Sequence, residues 1–233
     1  MRVKILFVPL LASVALLVGC TPGDPTVTPS PVSNGVEDQS ADQILQSAVA
    51  AMKGTSSFRQ SGIVQAGPLS VTVDLVFAGD NVQGTGTAYG VQARLVKVGP
   101  DLYVNADASL FSTLLGASQQ GTLDKISNTW VTAPADLVAP ILPVPLSVDD
   151  VVSDIGSATP LTKGDPGTLN GTPVITVTDA GGTVYTVATV GEPYLLKTEN
   201  GDHTVVYSDF NQSVTIEAPA GAIDLLAQLG LSS

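Results

Sequence analysis

The sequence predicts an α+β fold: a strongly curved antiparallel sheet, or half-barrel, with helices covering its concave face. Three observations support this prediction. Two long parts of the chain alternate apolar and polar residues with the period of two that is typical of strands. Short turns containing glycine separate these runs, so strands that are neighbours in sequence are expected to pair. Apolar residues at helical spacing precede, separate and follow the two strand-rich parts.

Residues 1–19 are interpreted as a lipoprotein signal peptide. Two basic residues precede Ile5–Val18, an uncharged run that is too short to span a bilayer, which takes about 20 apolar residues. The junction Leu17–Cys20 resembles the bacterial lipobox, whose cysteine thiol receives a diacylglycerol before the leader is cut. Cys20 is therefore the predicted lipidation site, and the expected location is the extracytoplasmic face of the cell membrane. The alternative is an ordinary secretion signal that is cut nearby.

Residues 20–39 are predicted to be the acylated cysteine and a flexible tether, because this stretch is rich in Pro, Thr and Ser and has few large apolar groups. Residues 40–233 are then expected to form a single domain. Ser40 and Gln43 stand at capping-box spacing before an apolar helical pattern, and Gly54 is expected to end that first helix.

The period then changes to that of strands. Apolar residues alternate with polar ones from Leu69 to Phe77 and predict a strand that ends in a Gly79–Asn81 turn. Similar short runs predict a meander here and a second one near the end of the chain. The predicted strands are Leu69–Phe77, Val82–Tyr89, Val91–Val98 and Leu102–Ala106, with further strands between Thr172 and Phe210.

Helices are predicted between and after the two meanders. The predicted segments are Ala108–Ala117, Asp136–Leu142, Ser147–Ile155 and Ala220–Leu229. One domain is preferred over two because no Pro/Ser-rich linker separates the meanders, and each set of strands alone is small for an independent core. The domain is expected to be a monomer.

Composition excludes several classes of function. The formal net charge of -12 argues against nucleic acid, because binding to phosphates needs clustered Lys and Arg. One cysteine and one histidine cannot form a disulfide or a structural zinc site, and no cofactor motif is present. The lone His203 stands beside a predicted turn, and no nucleophile-elbow motif accompanies it. The sequence therefore predicts no metal, no cofactor and no catalytic residues.

Several segments together resemble actinobacterial envelope lipoproteins related to mycobacterial LppX, LprA and LprG. The resemblance follows the lipobox, tether and first helix and covers about residues 38–220. Its segments are LVKVGPDLYVNAD (Leu95–Asp107), TWVTAP (Thr129–Pro134), DPGTLNGTPVITVT (Asp165–Thr178) and YSDFNQSVTIEAPA (Tyr207–Ala220). One difference is a strand without tryptophan, TVYTVATVGEP, where family members often have Trp.

The resemblance implies a half-barrel similar to those of the periplasmic LolA and LolB carriers, enclosing an apolar cavity for acyl chains. It also implies the partners: an acylated lipid or glycolipid, the membrane through the lipid anchor, and an envelope lipid transporter. The alternative function is a non-enzymatic structural lipoprotein that presents its curved sheet to another envelope protein.

The candidate lining of the cavity consists of apolar residues from the strands and from the predicted helix after residue 107, together with the lone tryptophan. They are Val71, Val73, Leu75, Phe77, Leu110, Phe111, Leu114, Leu115, Trp130, Ile175 and Val177. The sequence does not distinguish a hollow cavity from a filled core at these positions, nor which strand face is inward. Arg59, Arg94 and Lys97 are the candidate contacts for a phosphate at the cavity mouth.

Overall fold

The structure is a computed structural model that describes residues 32–116, 119–153 and 155–230. Cys20 and the side chain of Leu114 lie outside the described residues. From Val32 onward the described chain belongs to one compact unit. None of its described helices is long and apolar enough to cross a membrane.

The described residues contain one sheet of 12 strands. The strands are β1 (Ser57–Ala66), β2 (Leu69–Ala78), β3 (Asn81–Ala88), β4 (Val91–Val98), β5 (Asp101–Ala106), β6 (Val131–Thr132), β7 (Thr162–Leu169), β8 (Thr172–Thr178), β9 (Val184–Ala188), β10 (Leu195–Asn200), β11 (His203–Ser208) and β12 (Ile223–Asp224). Their spatial order is β12-β6-β5-β4-β3-β2-β1-β11-β10-β9-β8-β7, and only the short β12–β6 pair is parallel.

The two predicted meanders are joined into this one sheet by β1 and β11, which pair antiparallel from Arg59↔Ser208 to Gly62↔Val205. Because β7 and β12 stay at the two ends of the order, the sheet does not close into a barrel. The predicted α+β class with an open, mostly antiparallel half-barrel is confirmed.

Two glycines allow the sheet to bend sharply. Gly62 in β1 has φ +139°, and Gly84 in β3 has φ +153°. A Cβ on Gly62 would lie 2.0 Å from the Thr204 carbonyl oxygen, and a Cβ on Gly84 would lie 2.0 Å from that of Asp74. Only a residue without a Cβ fits where neighbouring backbones approach this closely, and such kinks curve a sheet.

Six helices accompany the sheet in the described residues. They are α1 (Ala41–Lys53), α2 (Ala108–Leu115), α3 (Gln120–Ile126), α4 (Ala135–Val138), α5 (Val148–Val152) and α6 (Leu225–Gln228). The predicted capping box of α1 is present, because the Ser40 side chain accepts from the Gln43 amide and the Gln43 side chain accepts from the Ser40 amide. The predicted Gly54 is the C-cap.

The helices pack on the inward face of the sheet. Helix α1 contacts β8, β9 and β10 and buries one face, including Ile44, Ala48 and Met52. These side chains share one apolar cluster with the inward strand residues and with the buried residues of α2 and α3. Beside them, Phe58 stacks on its cross-strand partner Phe77 with ring centroids 4.7 Å apart. This part of the concave side is therefore a filled core.

The folded part of the chain begins before the predicted boundary at residue 40. Val36 lies in a short 3-10 turn and is only 2% exposed. The Asn34 amide donates to the carbonyl oxygens of Ala188 and Gly191, and Lys163 donates to the Glu37 carbonyl oxygen. The end of the predicted tether is thus packed against β9 and β7, because these hydrogen bonds and the buried Val36 hold this polar segment on the domain.

Several elements differ from the prediction. Strands β1, β6, β7 and β12 and helix α3 were not predicted, and β12 lies within the predicted helix Ala220–Leu229. Helices α4, α5 and α6 are shorter than expected. Pro140 and Pro143 follow α4 and cannot donate the amide hydrogen bonds of a longer helix. The segment 139–146 consequently crosses the domain without regular structure.

We expect Gly84→Ala to lower the free energy of unfolding by several kcal/mol, because the new methyl group would collide with the β2 backbone. Urea unfolding would show the midpoint falling in a single transition. Gly121→Ala is the matched control: Gly121 lies within α3 with no atom near its Cβ position, so alanine should stabilise by about 0.5–1 kcal/mol. An unchanged midpoint for Gly84→Ala contradicts the close approach, and two separate transitions contradict a single domain.

Candidate ligand cavity

A cavity of about 640 Å³ lies between the inward face of the sheet and the segment that runs from α4 past α5. Its floor comes from β1, β9, β10 and β11, and its roof comes from residues 139–158. The volume falls within the roughly 300–1,000 Å³ that is usual for ligand sites. It is therefore large enough for one elongated small molecule.

The inward residues of β1 explain why this part of the inward face is not filled. Alternate positions face the same side of a strand, and in order along β1 the inward ones are Phe58, Gln60, Gly62, Val64 and Ala66. Phe58 fills the core, whereas Gly62 contributes no side chain and Val64 and Ala66 are smaller than Phe58. The space above this end of β1 remains open.

The roof is held by a second close contact with the sheet. A Cβ on Gly86 in β3 would lie 3.0 Å from Leu142 and 3.0 Å from Val144, so both side chains lie directly against the glycine. Val144 then lines the cavity together with Pro143 and Pro145. The proline-rich segment spans the gap as a rigid, apolar cover.

Polar groups lie on the floor among the apolar ones. Tyr207 pairs with Gln60 across the β1–β11 ladder, and both residues line the cavity. Gln60 is 3% exposed, and its side-chain oxygen has no hydrogen-bond partner among the described residues. Burial raises the pKa of Tyr207 to about 12, despite the side chains of Thr198 and Gln60 beside its hydroxyl.

A second polar group ties the floor to the roof. The buried Asp179 carboxylate accepts from the backbone amides of Gly181 and Thr183 and, at 2.9 Å, from the Tyr185 hydroxyl. The Tyr185 hydroxyl in turn accepts from the Gly156 amide at 3.3 Å. Burial raises the pKa of Tyr185, and the nearby carboxylate acts in the same direction. Every oxygen of this buried acid has a donor, as a buried charge requires.

None of the predicted lining residues whose side chains the structure describes is among those that line this cavity. Most of them are buried in the filled core, while Leu115 and Trp130 are half-buried. The residues in the core are Val71, Val73, Leu75, Phe77, Leu110, Phe111, Ile175 and Val177. The sequence left open which face of β2 is inward, and in the structure Val71, Val73, Leu75 and Phe77 belong to the buried apolar cluster and do not line the open space.

Trp130 lies on the other side of the sheet. The Arg94 guanidinium stands 5.4 Å from the centre of the Trp130 ring. Arg94 also donates to the side chain of Asn105, its cross-strand partner, on the outward side of β4 and β5. The position of Trp130 is thus explained by a cation–π contact.

The three candidate phosphate contacts also lie away from this cavity. Arg59 forms a two-pronged ion pair with Asp74 on the outward face, and this pair lowers the pKa of Asp74. Lys97 donates to the Asp80 carbonyl oxygen in a separate polar cleft beside Lys53 and Asp149.

The residues that do line the cavity were missed because most lie outside the regular alternation. They belong to β1, to the proline-rich segment and to the ends of β9–β11. A sequence signal for the floor was present at alternate positions of FRQSGIVQA (Phe58–Ala66), where a large aromatic residue is followed by a polar one, a glycine and two smaller aliphatic ones. The described residues contain no cluster of three or more His, Cys, Asp or Glu that would hold a metal ion.

No known protein-family profile matches the chain, and no curated protein matches it in sequence. Solved structures do match it. Among them is the crystal structure of LprF from Mycobacterium bovis, with a TM-score of 0.52 and 17% sequence identity over 78% of this chain and 97% of that chain. This chain has the fold of LprF. The resemblance to the mycobacterial lipoproteins is thereby confirmed at the level of fold.

The similarity to LprF concerns the fold, and few positions are identical, so the chemistry of the cavity depends on this chain's own residues.

The buried Tyr207 gives a direct probe of the cavity floor. An ordinary tyrosine has a pKa near 10, whereas the pKa of Tyr207 in the folded protein is about 12. Folding therefore favours the neutral hydroxyl, and below pH 10 this preference contributes fully to the free energy of unfolding. This stabilisation is lost as the pH rises from about 10 to about 12.

Between about pH 8 and pH 11, we expect the free energy of unfolding of the wild-type chain to fall by about 1 kcal/mol more than that of Tyr207→Phe. Urea unfolding across that range measures the difference. Tyr89→Phe removes a tyrosine that is 60% exposed and should keep the wild-type pH dependence. Parallel pH profiles for wild type and Tyr207→Phe contradict the burial of this hydroxyl.

Proposed function

We propose that the protein is a non-enzymatic, lipid-anchored protein of the cell envelope that binds an acylated lipid or glycolipid in the cavity and carries it across the envelope. The observation that carries this proposal is the unfilled space between the sheet and its proline-rich roof. The aliphatic part of its lining is available to a hydrocarbon chain because aliphatic groups offer water few partners.

The walls supply the apolar surface that an acyl chain needs. Val64 and Ala66 on the sheet face Val151 of α5 and Ile155 beyond it, and Val144 and Pro145 line the roof. Burial of hydrocarbon contributes about 25 cal/mol per Å², so one long chain gains several kcal/mol without any charged contact. One water occupies about 30 Å³ in the liquid, and a methylene is of similar size, so the volume suits about one long acyl chain.

The LprF-like fold supports the same proposal, because the family that the sequence resembles encloses acyl chains in this half-barrel. Transfer across the envelope needs a second component that accepts the lipid. We propose an envelope lipid transporter for that role, with the chain acting as a monomer.

A lipid should copurify with the protein when it is produced in an actinobacterial host, and native mass spectrometry with solvent extraction would identify it. Val64→Trp and Val151→Trp each place an indole in the cavity and should lower occupancy at least tenfold. Val206→Trp is the matched control: Val206 is 39% exposed, and its neighbours Val205 and Tyr207 are the ones that line the cavity. A lipid-free wild type, or equal occupancy in all variants, would favour the structural lipoprotein that presents its sheet to a partner.

The anchor is proposed from the lipobox alone. Cys20 is the only cysteine in the chain, so no other thiol can receive the diacylglycerol. Cys20→Ser should abolish labelling by radioactive palmitate and release the protein from the membrane fraction, whereas Thr21→Ser should leave both unchanged. Labelling that persists in Cys20→Ser contradicts the lipidation site.

A further inference from the structure

We propose that the cavity selects an uncharged amphiphile that carries a hydroxyl group next to its acyl chain, and that it discriminates against phosphate-bearing lipids. This inference rests on the proposed lipid-binding function. Two independent features of the cavity carry it: the unpaired amide of Gln60 on the floor and the charges around the lining.

Gln60 is placed where a ligand would satisfy it. Its side chain is nearly fully buried, lines the cavity and leaves one oxygen without a donor. A buried polar atom without a partner costs about 1–3 kcal/mol. The hydroxyl of its cross-strand partner Tyr207 lies beside the Gln60 amide, but the Gln60 oxygen takes no hydrogen bond from it or from any other described residue. A polar ligand atom that enters this space would remove that cost.

The chemistry of the partner follows from the amide. The oxygen and nitrogen of a glutamine side chain exchange places by a 180° flip, so the atom facing the cavity accepts in one orientation and donates in the other. A hydroxyl group both donates and accepts and therefore satisfies either orientation. An ester only accepts, so it satisfies the Gln60 side chain in just one of the two orientations, the one in which the NH2 group faces the cavity.

The charges around the cavity oppose an anion. Among the described residues that line it, Asp150, Asp179 and Glu199 are acidic, and none is lysine or arginine. The one histidine among them, His203, shares a hydrogen bond of 2.9 Å with the Ser70 hydroxyl. The nearby Lys197 is held 2.7 Å from Glu199 in an ion pair. Phosphate sites in proteins are built from arginine, lysine or free backbone amides at a helix start. Helix α5 offers no such start, because it is short and its first turn carries Asp149 and Asp150.

Three single-chain probes separate these features: monopalmitoylglycerol, methyl palmitate and palmitoyl lysophosphatidate. They share the acyl chain and bear two hydroxyls, no hydroxyl, and one hydroxyl with a phosphate, respectively. The full chain, purified in a non-ionic detergent and stripped of bound lipid, would be titrated with each probe by native mass spectrometry. We expect monopalmitoylglycerol to bind about three- to tenfold more tightly than methyl palmitate, the value of one net hydrogen bond. Lysophosphatidate should bind most weakly.

Two variants assign the preference to its sources. Gln60→Leu should equalise monopalmitoylglycerol and methyl palmitate while retaining binding of both, whereas Gln92→Leu, at an exposed position of β4, should keep the wild-type preference. Asp150→Asn combined with Glu199→Gln should raise the affinity for lysophosphatidate several-fold, because both changes remove negative charge and keep a polar amide. Asp179 is left intact because its carboxylate holds the roof.

The outcomes separate the two proposals. If no probe binds, the proposed lipid-binding function fails. If all three probes bind equally, or lysophosphatidate binds best, the function survives and the selectivity is overturned. A preference for monopalmitoylglycerol that persists in Gln60→Leu overturns the role of Gln60.

Discussion

The close approach of strand backbones at Gly62 and Gly84 is the constraint on which the rest of the structure depends. At each position a neighbouring carbonyl occupies the place of a side chain, and the positive φ turns the strand inward. The two glycines lie on β1 and β3, on either side of β2, so the bend falls in the middle of the 12-stranded order. Without this bend the two meanders would form an open, nearly flat sheet, which could not surround helices and a cavity at once.

The same constraint divides the concave side into a filled part and an open part. On the filled part, large inward side chains such as Phe58 and Phe77 stack and meet helix α1 and its neighbours in one apolar cluster. Beyond Gly62 the inward side chains of β1 are Val64 and Ala66, which fill less space than Phe58, and the prolines of segment 139–146 prevent a helix from filling the gap. The cavity therefore results from small inward side chains on β1 combined with the prolines of segment 139–146, which is distant in sequence.

This combination explains how much could be predicted from the sequence. Strands with strict alternation, such as β2 and β4, were predicted closely because their own residues specify one buried face. Strand β1 was missed because Arg59, Gln60 and Ser61 interrupt its apolar pattern, and β7 was missed because it is an exposed edge containing Pro166. The cavity could not be located, because it depends on which distant segments meet over the same floor, and no local period encodes that.

The polar residues of the floor fall into two groups with different physical roles. Asp179 has a donor for each oxygen and, through the Tyr185 hydroxyl, links β9 to Gly156 at the end of the roof. Truncating its side chain would leave those donors unpaired, so its burial is explained by the structure alone. Gln60 makes no comparable link through its side-chain oxygen, although it is buried as deeply. Since a buried polar atom without a partner destabilises the empty protein, a ligand that pairs with Gln60 gains that free energy on binding.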